Sequence, residues 1–150
     1  MGAYVAVIGP SEATVKEMEA AEQVGRALAL SGAKVLCGGL GGVMAAVCRG
    51  AAGVGGTTIG LLPGPDRASA NEWVQIAIPT GLGELRNGLI VRSADAVIAV
   101  GGAYGTLSEI ALALRAGVPV FGIETWEIEG VRSVESPERA VRLALEHATP

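Results

Sequence analysis

One pattern constrains the fold of this chain more than any other: short apolar runs alternate with amphipathic stretches, and glycine follows the runs. Apolar runs at 4–8, 34–37 and 96–100 are each followed by glycine and then by apolar residues at helical spacing. Such alternation is typical of parallel strands joined by helices that cover both faces of a sheet. The pattern therefore predicts an α/β fold, a three-layer domain with a mostly parallel sheet of about six strands.

Hydrophobic periodicity and turn residues set the bounds of the predicted elements. The predicted strands lie at 4–8, 34–37, 57–62, 74–78, 96–100 and 118–123. The first helix follows a capping box of Thr14 and Glu17. Further helices are predicted after 38–42 and over 84–94, 106–116 and 137–146. The irregular stretch 63–73 is a candidate functional loop, and the segment 126–135 has no predicted regular structure.

Composition and charge exclude several classes of protein. The chain of 150 residues has the length of one domain, and its 50% hydrophobic content is too high for a disordered chain. The net charge of −4 argues against a nucleic-acid partner, which requires a basic face. Two Trp, two Tyr and one Phe are too few for a platform of several stacked bases. No apolar run approaches about 18 residues, so no membrane partner is expected.

The N-terminal residues and the few cysteines and histidines favour a cytoplasmic protein without a metal site. The first three residues carry no basic group, and the apolar run that follows is too short for an export signal. Cys37 and Cys48 fit no zinc or redox spacing, so we expect buried thiols in a reducing compartment. The single histidine, His147, excludes a His-based triad and a multi-His metal site.

Glycines gather after the predicted strands, at the expected carboxyl edge of the sheet. Gly9, 38–42, Gly64 and 101–105 follow four strands, and parallel sheets bind ligands at this edge. A glycine turn that opens a helix presents unpaired N–H groups and the positive end of the helix dipole to an anion. The alternative is that these glycines only allow tight turns. Neither G-x-x-x-x-G-K-S/T nor G-x-G-x-x-G occurs, which argues against a P-loop NTPase and a conventional NAD enzyme.

Arg86 is a candidate anion ligand. It falls in the first turn of a predicted helix, where a cation opposes the helix dipole, and an anion in front of it would offset that cost. The other interpretation is a solvated surface arginine or an ion pair with Glu84. The neighbouring Asn87 would bind a polar edge of the ligand or satisfy local backbone groups.

Two interpretations also stand for Glu109. Thr106 lies three residues before it, which fits a capping box in which Glu109 reaches back to the Thr106 N–H. Alternatively, the Glu109 carboxylate lies beside a bound nucleotide as a ligand anchor or as a general acid/base. Tyr104, which stands among glycines, would cover a flat ring or simply fill space.

Four segments carry a resemblance to a known group of proteins. They are 5–10 (VAVIGP), 38–44 (GGLGGVM), 81–87 (GLGELRN) and 93–109 (SADAVIAVGGAYGTLSE). On these segments the chain resembles the LOG-like Rossmann superfamily (SLOG), and within it the molybdenum cofactor carrier branch. The resemblance implies a single LOG-like Rossmann domain over residues 1–150, and assembly as a homodimer or a larger homo-oligomer.

The resemblance implies two alternative functions. LOG enzymes hydrolyse the bond between base and ribose 5′-phosphate in cytokinin nucleotides, with a P-G-G-x-G-T-x-x-E motif and an upstream arginine. In this chain Glu109 and Arg86 are retained, whereas Gly101 stands in place of the proline and Ala103 in place of the second glycine. Carrier-type relatives hold a phosphorylated pterin–molybdenum cofactor without cleaving it, and the GLGELRN and GTLSE segments fit that branch better.

The resemblance therefore implies a binding protein or carrier for a phosphorylated heterocycle, such as molybdenum cofactor or a nucleotide. The alternative is a nucleoside 5′-monophosphate phosphoribohydrolase in which Arg86 and Glu109 are catalytic. The phosphate is expected at the turn 102–106, and molybdenum cofactor would be cargo, with no resident cofactor predicted. The predicted ligand-binding residues are Gly9, Gly39, Gly41, Gly42, Met44, Arg86, Asn87, Gly101, Gly102, Tyr104, Gly105, Thr106 and Glu109.

Overall fold

Seven parallel strands lie between two layers of helices in this protein, of which a computed structural model describes residues 2–148. The strands are β1 (Tyr4–Ile8), β2 (Lys34–Cys37), β3 (Thr58–Leu62), β4 (Ile76–Pro79), β5 (Ala96–Val100), β6 (Val120–Ile123) and β7 (Val131–Ser133). The helices are α1 (Val15–Leu30), α2 (Val43–Ala52), α3 (Arg86–Arg92), α4 (Tyr104–Arg115) and α5 (Pro137–Ala148). All neighbouring strands pair in parallel. The predicted Rossmann-like α/β fold is confirmed.

The predicted elements are present, with some ends shifted. α4 begins at Tyr104 rather than Thr106, and α3 is shorter than predicted because a 3-10 turn, Gly83–Leu85, precedes it. The sheet has seven strands instead of about six, because β7 forms within the segment 126–135. This strand is three residues long and partly exposed, so it offers no continuous apolar run to detect.

The order of the strands, β4-β3-β2-β1-β5-β6-β7, reverses direction at the centre of the sheet. From β1 the chain adds three strands on one side and then returns to add β5, β6 and β7 on the other. The carboxyl ends of β1 and β5 therefore lie side by side, and their connections leave in opposite directions. Such a switch point opens a crevice at the edge of an α/β sheet.

Aliphatic side chains fill both faces of the sheet. β5 is buried along its whole length, as expected of a central strand that is covered on both sides. α1 and α2 pack on one face through side chains such as Leu28 and Val47, and α3 and α4 pack through Ile90 and Ile110 in a second cluster. Within residues 2–148, none of the helices has both the length and the apolar character of a bilayer-spanning helix.

The predicted capping box at the start of α1 is confirmed. The Glu17 N–H donates to Thr14 Oγ1 over 3.1 Å, and the Thr14 N–H donates to Glu17 Oε1 over 2.9 Å. The same Glu17 carboxylate lies against Gly101, where a Cβ would come within 1.9 Å of Oε2 and φ is +71°. Only glycine fits there, so the start of α1 is held against the turn that follows β5.

Two glycines let α1 and α2 pack at close range. A Cβ at Gly25 would lie 2.0 Å from the carbonyl oxygen of Val47, and a Cβ at Gly50 would lie 2.0 Å from that of Glu22. Each glycine therefore admits the backbone of the opposite helix. This packing overrides the low helix propensity of glycine.

We expect Gly25→Ala to destabilise the protein by about 1–3 kcal/mol, because the added methyl group overpacks the contact between α1 and α2. Helix propensity alone would give the opposite sign, a gain of up to about 1 kcal/mol. Gly88→Ala on α3 is the matched control, because a Cβ there would meet only Leu112 Cδ1, at 4.0 Å. Urea unfolding followed by circular dichroism measures both variants, and a stabilised Gly25→Ala would contradict the packing argument.

Candidate functional site

A pocket of about 190 Å³ opens at the carboxyl ends of β1 and β5, where the strand order reverses. Its walls combine backbone from the turns after β1, β2 and β5 with side chains from α3 and α4. This is the edge at which the glycines of the sequence were expected to gather. The position agrees with the general rule for ligand sites in parallel sheets.

Arg86 is buried at this pocket, with only 8% of its surface exposed. Its Nε donates to the carbonyl oxygen of Leu61 at the end of β3 over 2.8 Å, and its Nη1 donates to Oδ1 of Asn87. A Cβ at Gly38 would lie 2.8 Å from Nη2, so glycine leaves room for the guanidinium. The interpretation of Arg86 as a solvated arginine or as a partner of Glu84 is therefore wrong.

The guanidinium retains hydrogen-bonding capacity that faces the pocket. In the described part of the chain, Nη2 of Arg86 has no acceptor, since Nε and Nη1 make the two hydrogen bonds given above. Asn87 therefore holds Arg86 through its side-chain oxygen, and its Nδ2 lies 3.5 Å from Ser108 Oγ on α4. This chain of contacts fixes the cation between α3, β3 and α4.

Glu109 projects from the second turn of α4 into the same pocket and is also 8% exposed. No group within residues 2–148 donates a hydrogen bond to its carboxylate or pairs with it within 4 Å. Burial raises the pKa of Glu109 to about 8, and the positive charge of Arg86 only partly opposes that shift. At neutral pH the carboxyl is therefore mainly protonated, and it presents an O–H donor to the pocket.

The N-terminus of α4 is open towards the pocket. Ala103 precedes the helix and contributes no side-chain cap, so N–H groups of the first turn lack an acceptor. Thr106 lies inside this turn rather than before it, so the predicted capping box with Glu109 does not form. Thr106 lines the pocket, and its hydroxyl is buried without a hydrogen-bond partner within the described residues.

Gly105 lines the pocket without a structural requirement for glycine. A Cβ at this position would meet no atom within 4 Å, and φ is not positive. By contrast, α2 begins against its neighbours, because the Val43 N–H donates to Pro10 O over 3.1 Å, and a Cβ at Gly42 would lie 2.3 Å from that oxygen. Of these two helix starts, only α4 leaves open space where a ligand could approach the backbone.

The predicted site residues fall into two groups by position. Those that line the pocket are Gly9, Met44, Arg86, Asn87, Gly105, Thr106 and Glu109. Those outside its lining are Gly39, Gly41, Gly42, Gly101, Gly102 and Tyr104. Gly39 and Gly101 have φ of +78° and +71°, so their backbone conformation accounts for glycine at both positions.

Sequence reasoning missed several residues at or beside the pocket. Ser11 and Leu40 lie in turns already marked as part of this edge, so their position was available in the pattern. Trp126 was not: it lies in the segment 126–135, and its Nε1 donates to the carbonyl oxygen of Ala103 over 3.0 Å. Its ring also stacks on that of Tyr104, with ring centres 6.2 Å apart and planes at 25°.

The two cysteines are buried free thiols, as expected, and their Sγ atoms lie 3.5 Å apart behind the pocket wall. The hydrogen bond with Cys37, together with burial, raises the pKa of the Cys48 thiol, so it stays protonated. Across residues 2–148, no group of three or more His, Cys, Asp or Glu side chains is arranged to hold a metal ion.

The fold is that of a Rossmann-like protein of the SLOG type. The chain belongs to the SLOG cluster4 family, whose model matches residues 2–149.

Three known proteins are similar over nearly the whole chain. An uncharacterized protein of Archaeoglobus fulgidus is 42% identical over 142 residues, which is 94% of this chain and 93% of that protein. The structure of the molybdenum cofactor binding protein from Rippkaea orientalis has a TM-score of 0.94 and 36% identity, with 99% of each chain covered. The molybdenum cofactor carrier protein of Chlamydomonas reinhardtii has a TM-score of 0.87 and 30% identity, with 97% of this chain and 98% of that chain covered.

We expect the buried Glu109 to make stability depend on pH. Its pKa rises from an ordinary value of 4.5 to about 8 on folding. The contribution of the protonated carboxyl to the free energy of unfolding is therefore fully present below about pH 4.5 and is lost as pH rises to about 8. The loss is at most about 1.4 kcal/mol per pH unit in this window. Glu109→Gln, which mimics the protonated carboxyl, should flatten the decline in the free energy of unfolding between pH 5 and 8.

The measurement is urea unfolding at several pH values, with Glu84→Gln as the control. Glu84 is exposed on the 3-10 turn before α3, so that variant should follow the wild-type curve. A Glu109→Gln curve parallel to the wild type would contradict a buried neutral carboxyl.

Proposed function

We propose that this chain is a binding protein, acting as a carrier, for a phosphorylated heterocyclic ligand, with molybdenum cofactor as its cargo. The observation that carries the proposal is that Thr106, whose buried hydroxyl has no partner among the described residues, lines a pocket at the open start of α4 together with the buried Arg86. A buried polar group without a partner is costly, and its retention favours a ligand that completes it.

The chemistry of the pocket suits an oxyanion. Arg86 supplies a buried positive charge with Nη2 free, and the first turn of α4 supplies unpaired N–H groups and the positive end of a helix dipole. Glu109 adds an O–H donor in its protonated form. The guanidinium, the backbone N–H groups, the helix dipole and the protonated carboxyl all present hydrogen-bond donors or positive charge, so the oxygens of a phosphate would find donors on several sides.

The relatives support the choice of ligand. Two solved structures that cover almost the whole chain at 30% identity or more are a molybdenum cofactor binding protein and a molybdenum cofactor carrier protein. A carrier holds its cargo without breaking a bond in it, which requires binding groups but no nucleophile. Native mass spectrometry of protein purified under mild conditions would detect a co-purified pterin.

A second candidate is a nucleoside 5′-monophosphate phosphoribohydrolase. Arg86 and Glu109 lie at the same pocket, and a carboxyl with a pKa of about 8 can donate a proton to a leaving base near neutral pH. Free base released from nucleoside monophosphates at enzymatic turnover, and lost in Glu109→Gln, would favour this enzyme over the carrier.

We expect Thr106→Val to weaken binding of ribose 5-phosphate by about 10-fold or more, because a hydrogen bond to an anion contributes about 1.5–3 kcal/mol. The same change should leave the free energy of unfolding unchanged or higher, since it removes an unpaired buried hydroxyl. Isothermal titration calorimetry and urea unfolding measure the two effects.

Thr125→Val is the matched control for this experiment. The Thr125 hydroxyl is also buried without a partner in the described chain, but it does not line the pocket. That variant should gain stability without losing affinity for ribose 5-phosphate. If Thr106→Val binds as tightly as the wild type, or if the wild type does not bind ribose 5-phosphate, the anion pocket is refuted.

We also propose that the chain assembles as a homodimer or a larger homo-oligomer through α3 and α4. Leu85 and Leu89 are 79% and 41% exposed, and Leu112 on α4 is 37% exposed next to Gly88. Exposed leucines on α3, on the 3-10 turn that precedes it and on α4 form an apolar surface suited to a second copy. The cytoplasmic location and the absence of nucleic-acid and membrane partners stay predictions of the sequence.

We expect Leu85→Asp combined with Leu89→Asp to shift the protein to a smaller species, because two buried carboxylates would oppose the contact. Size-exclusion chromatography with light scattering measures the mass. Leu30→Asp, at a position 66% exposed on the far end of α1, should leave the mass unchanged. A wild-type protein that is monomeric at micromolar concentration would contradict the proposal.

A further inference from the structure

The pocket encloses only part of a phosphorylated heterocycle. Its volume of about 190 Å³ lies below the roughly 300–1,000 Å³ of pockets that bury most of a drug-sized ligand. A ligand whose phosphate lies at the start of α4 must therefore extend its ring system beyond the pocket. The surface beside Ala103 and Gly105, which both line the pocket, is where such a ring would emerge.

Tyr104 stands between these two lining residues, and it is 84% exposed. An aromatic side chain at this exposure buries too little surface to contribute much to folding. Among the described residues its one contact with another aromatic ring is the stack on Trp126, with planes at 25°, so no second ring covers the opposite face of the tyrosine. The phenol ring is therefore held by one partner and available to another.

Trp126 fixes this ring relative to the pocket. Its Nε1 donates to the carbonyl oxygen of Ala103, the same oxygen that accepts the Leu107 N–H in the first turn of α4. The indole also lies against Gly102, where a Cβ would come within 3.0 Å of Nε1. The indole is thus anchored to the backbone that forms the pocket wall.

We propose that Tyr104, supported by Trp126, stacks on the flat heteroaromatic ring of a ligand whose phosphate lies in the adjacent pocket. This inference rests on the proposed function and adds a ring site to it. The rigid tyrosine–tryptophan pair offers a π surface at low entropic cost. The ligand class is a planar, phosphorylated heterocycle, whereas a sugar phosphate without a heteroaromatic base would use the pocket alone.

The test compares two probes, ribose 5-phosphate and guanosine 5′-monophosphate, by isothermal titration calorimetry. Guanine contains the aminopyrimidinone ring that pterins also contain, and ribose 5-phosphate has the phosphate without the base. In the wild type, guanosine 5′-monophosphate should bind about 5- to 100-fold more tightly, the range expected of one stacked base. Tyr104→Ala should remove most of this difference and leave the affinity for ribose 5-phosphate unchanged.

Two further variants separate stacking from packing. Tyr104→Phe keeps the ring and should retain the preference for guanosine 5′-monophosphate. Arg115→Ala, at an exposed position on the same helix but outside the pocket lining, is the matched surface control and should retain it as well. Trp73→Phe leaves Trp126 as the single tryptophan of the chain, and its fluorescence should change with guanosine 5′-monophosphate and not with ribose 5-phosphate.

The outcomes distinguish this inference from the proposed function. Equal affinities of the wild type for the two probes would overturn the ring site and leave the anion pocket standing. Failure of the wild type to bind ribose 5-phosphate would overturn the pocket itself. A Tyr104→Ala variant that changes the oligomeric mass but keeps its preference for guanosine 5′-monophosphate would also overturn the ring site, because Tyr104 would then contact a second copy.

Discussion

The burial of polar groups at the switch point between β1 and β5 governs the rest of this structure. Arg86 and Glu109 are each 8% exposed and Thr106 is 1% exposed. Withdrawing a charged group such as the Arg86 guanidinium from water costs several kcal/mol unless partners replace the solvent, and an unpaired hydroxyl adds a smaller cost. Leu61 and Asn87 satisfy part of the guanidinium, and protonation relieves Glu109. Within the described residues, Arg86, Thr106 and the uncapped first turn of α4 each keep a donor without a partner, and all three line one pocket, which concentrates this binding capacity in a single place.

Much of the fold was predictable from local sequence because a parallel sheet covered on both faces is built from continuous apolar runs. β1, β2 and β5 have the predicted bounds, and the box of Thr14 and Glu17 marked the start of α1. The errors occur where tertiary contacts replace local signals. α4 begins without a side-chain cap, and β7 is held by pairing with β6 rather than by its own three residues.

The candidate site was predictable in position but only partly in detail. Topology alone places the turns after parallel strands at one edge, and seven of the predicted residues line the pocket there. Periodicity cannot show that Arg86 turns inward to Leu61, or that the Thr106 hydroxyl lacks a partner, since both depend on three-dimensional packing. Trp126 was beyond reach because its segment has no period, and its contact with Ala103 spans 23 residues.

The outermost strands of the sheet have a consequence for its behaviour in a crowded solution. Long, flat strands at the margins of a sheet are templates for unwanted pairing between molecules. Here one margin is β7, with three residues, and the other is β4, with four residues that end in Pro79, which has no N–H to offer a neighbour. A molecule so rich in aliphatic strands is thereby protected against edge-to-edge aggregation.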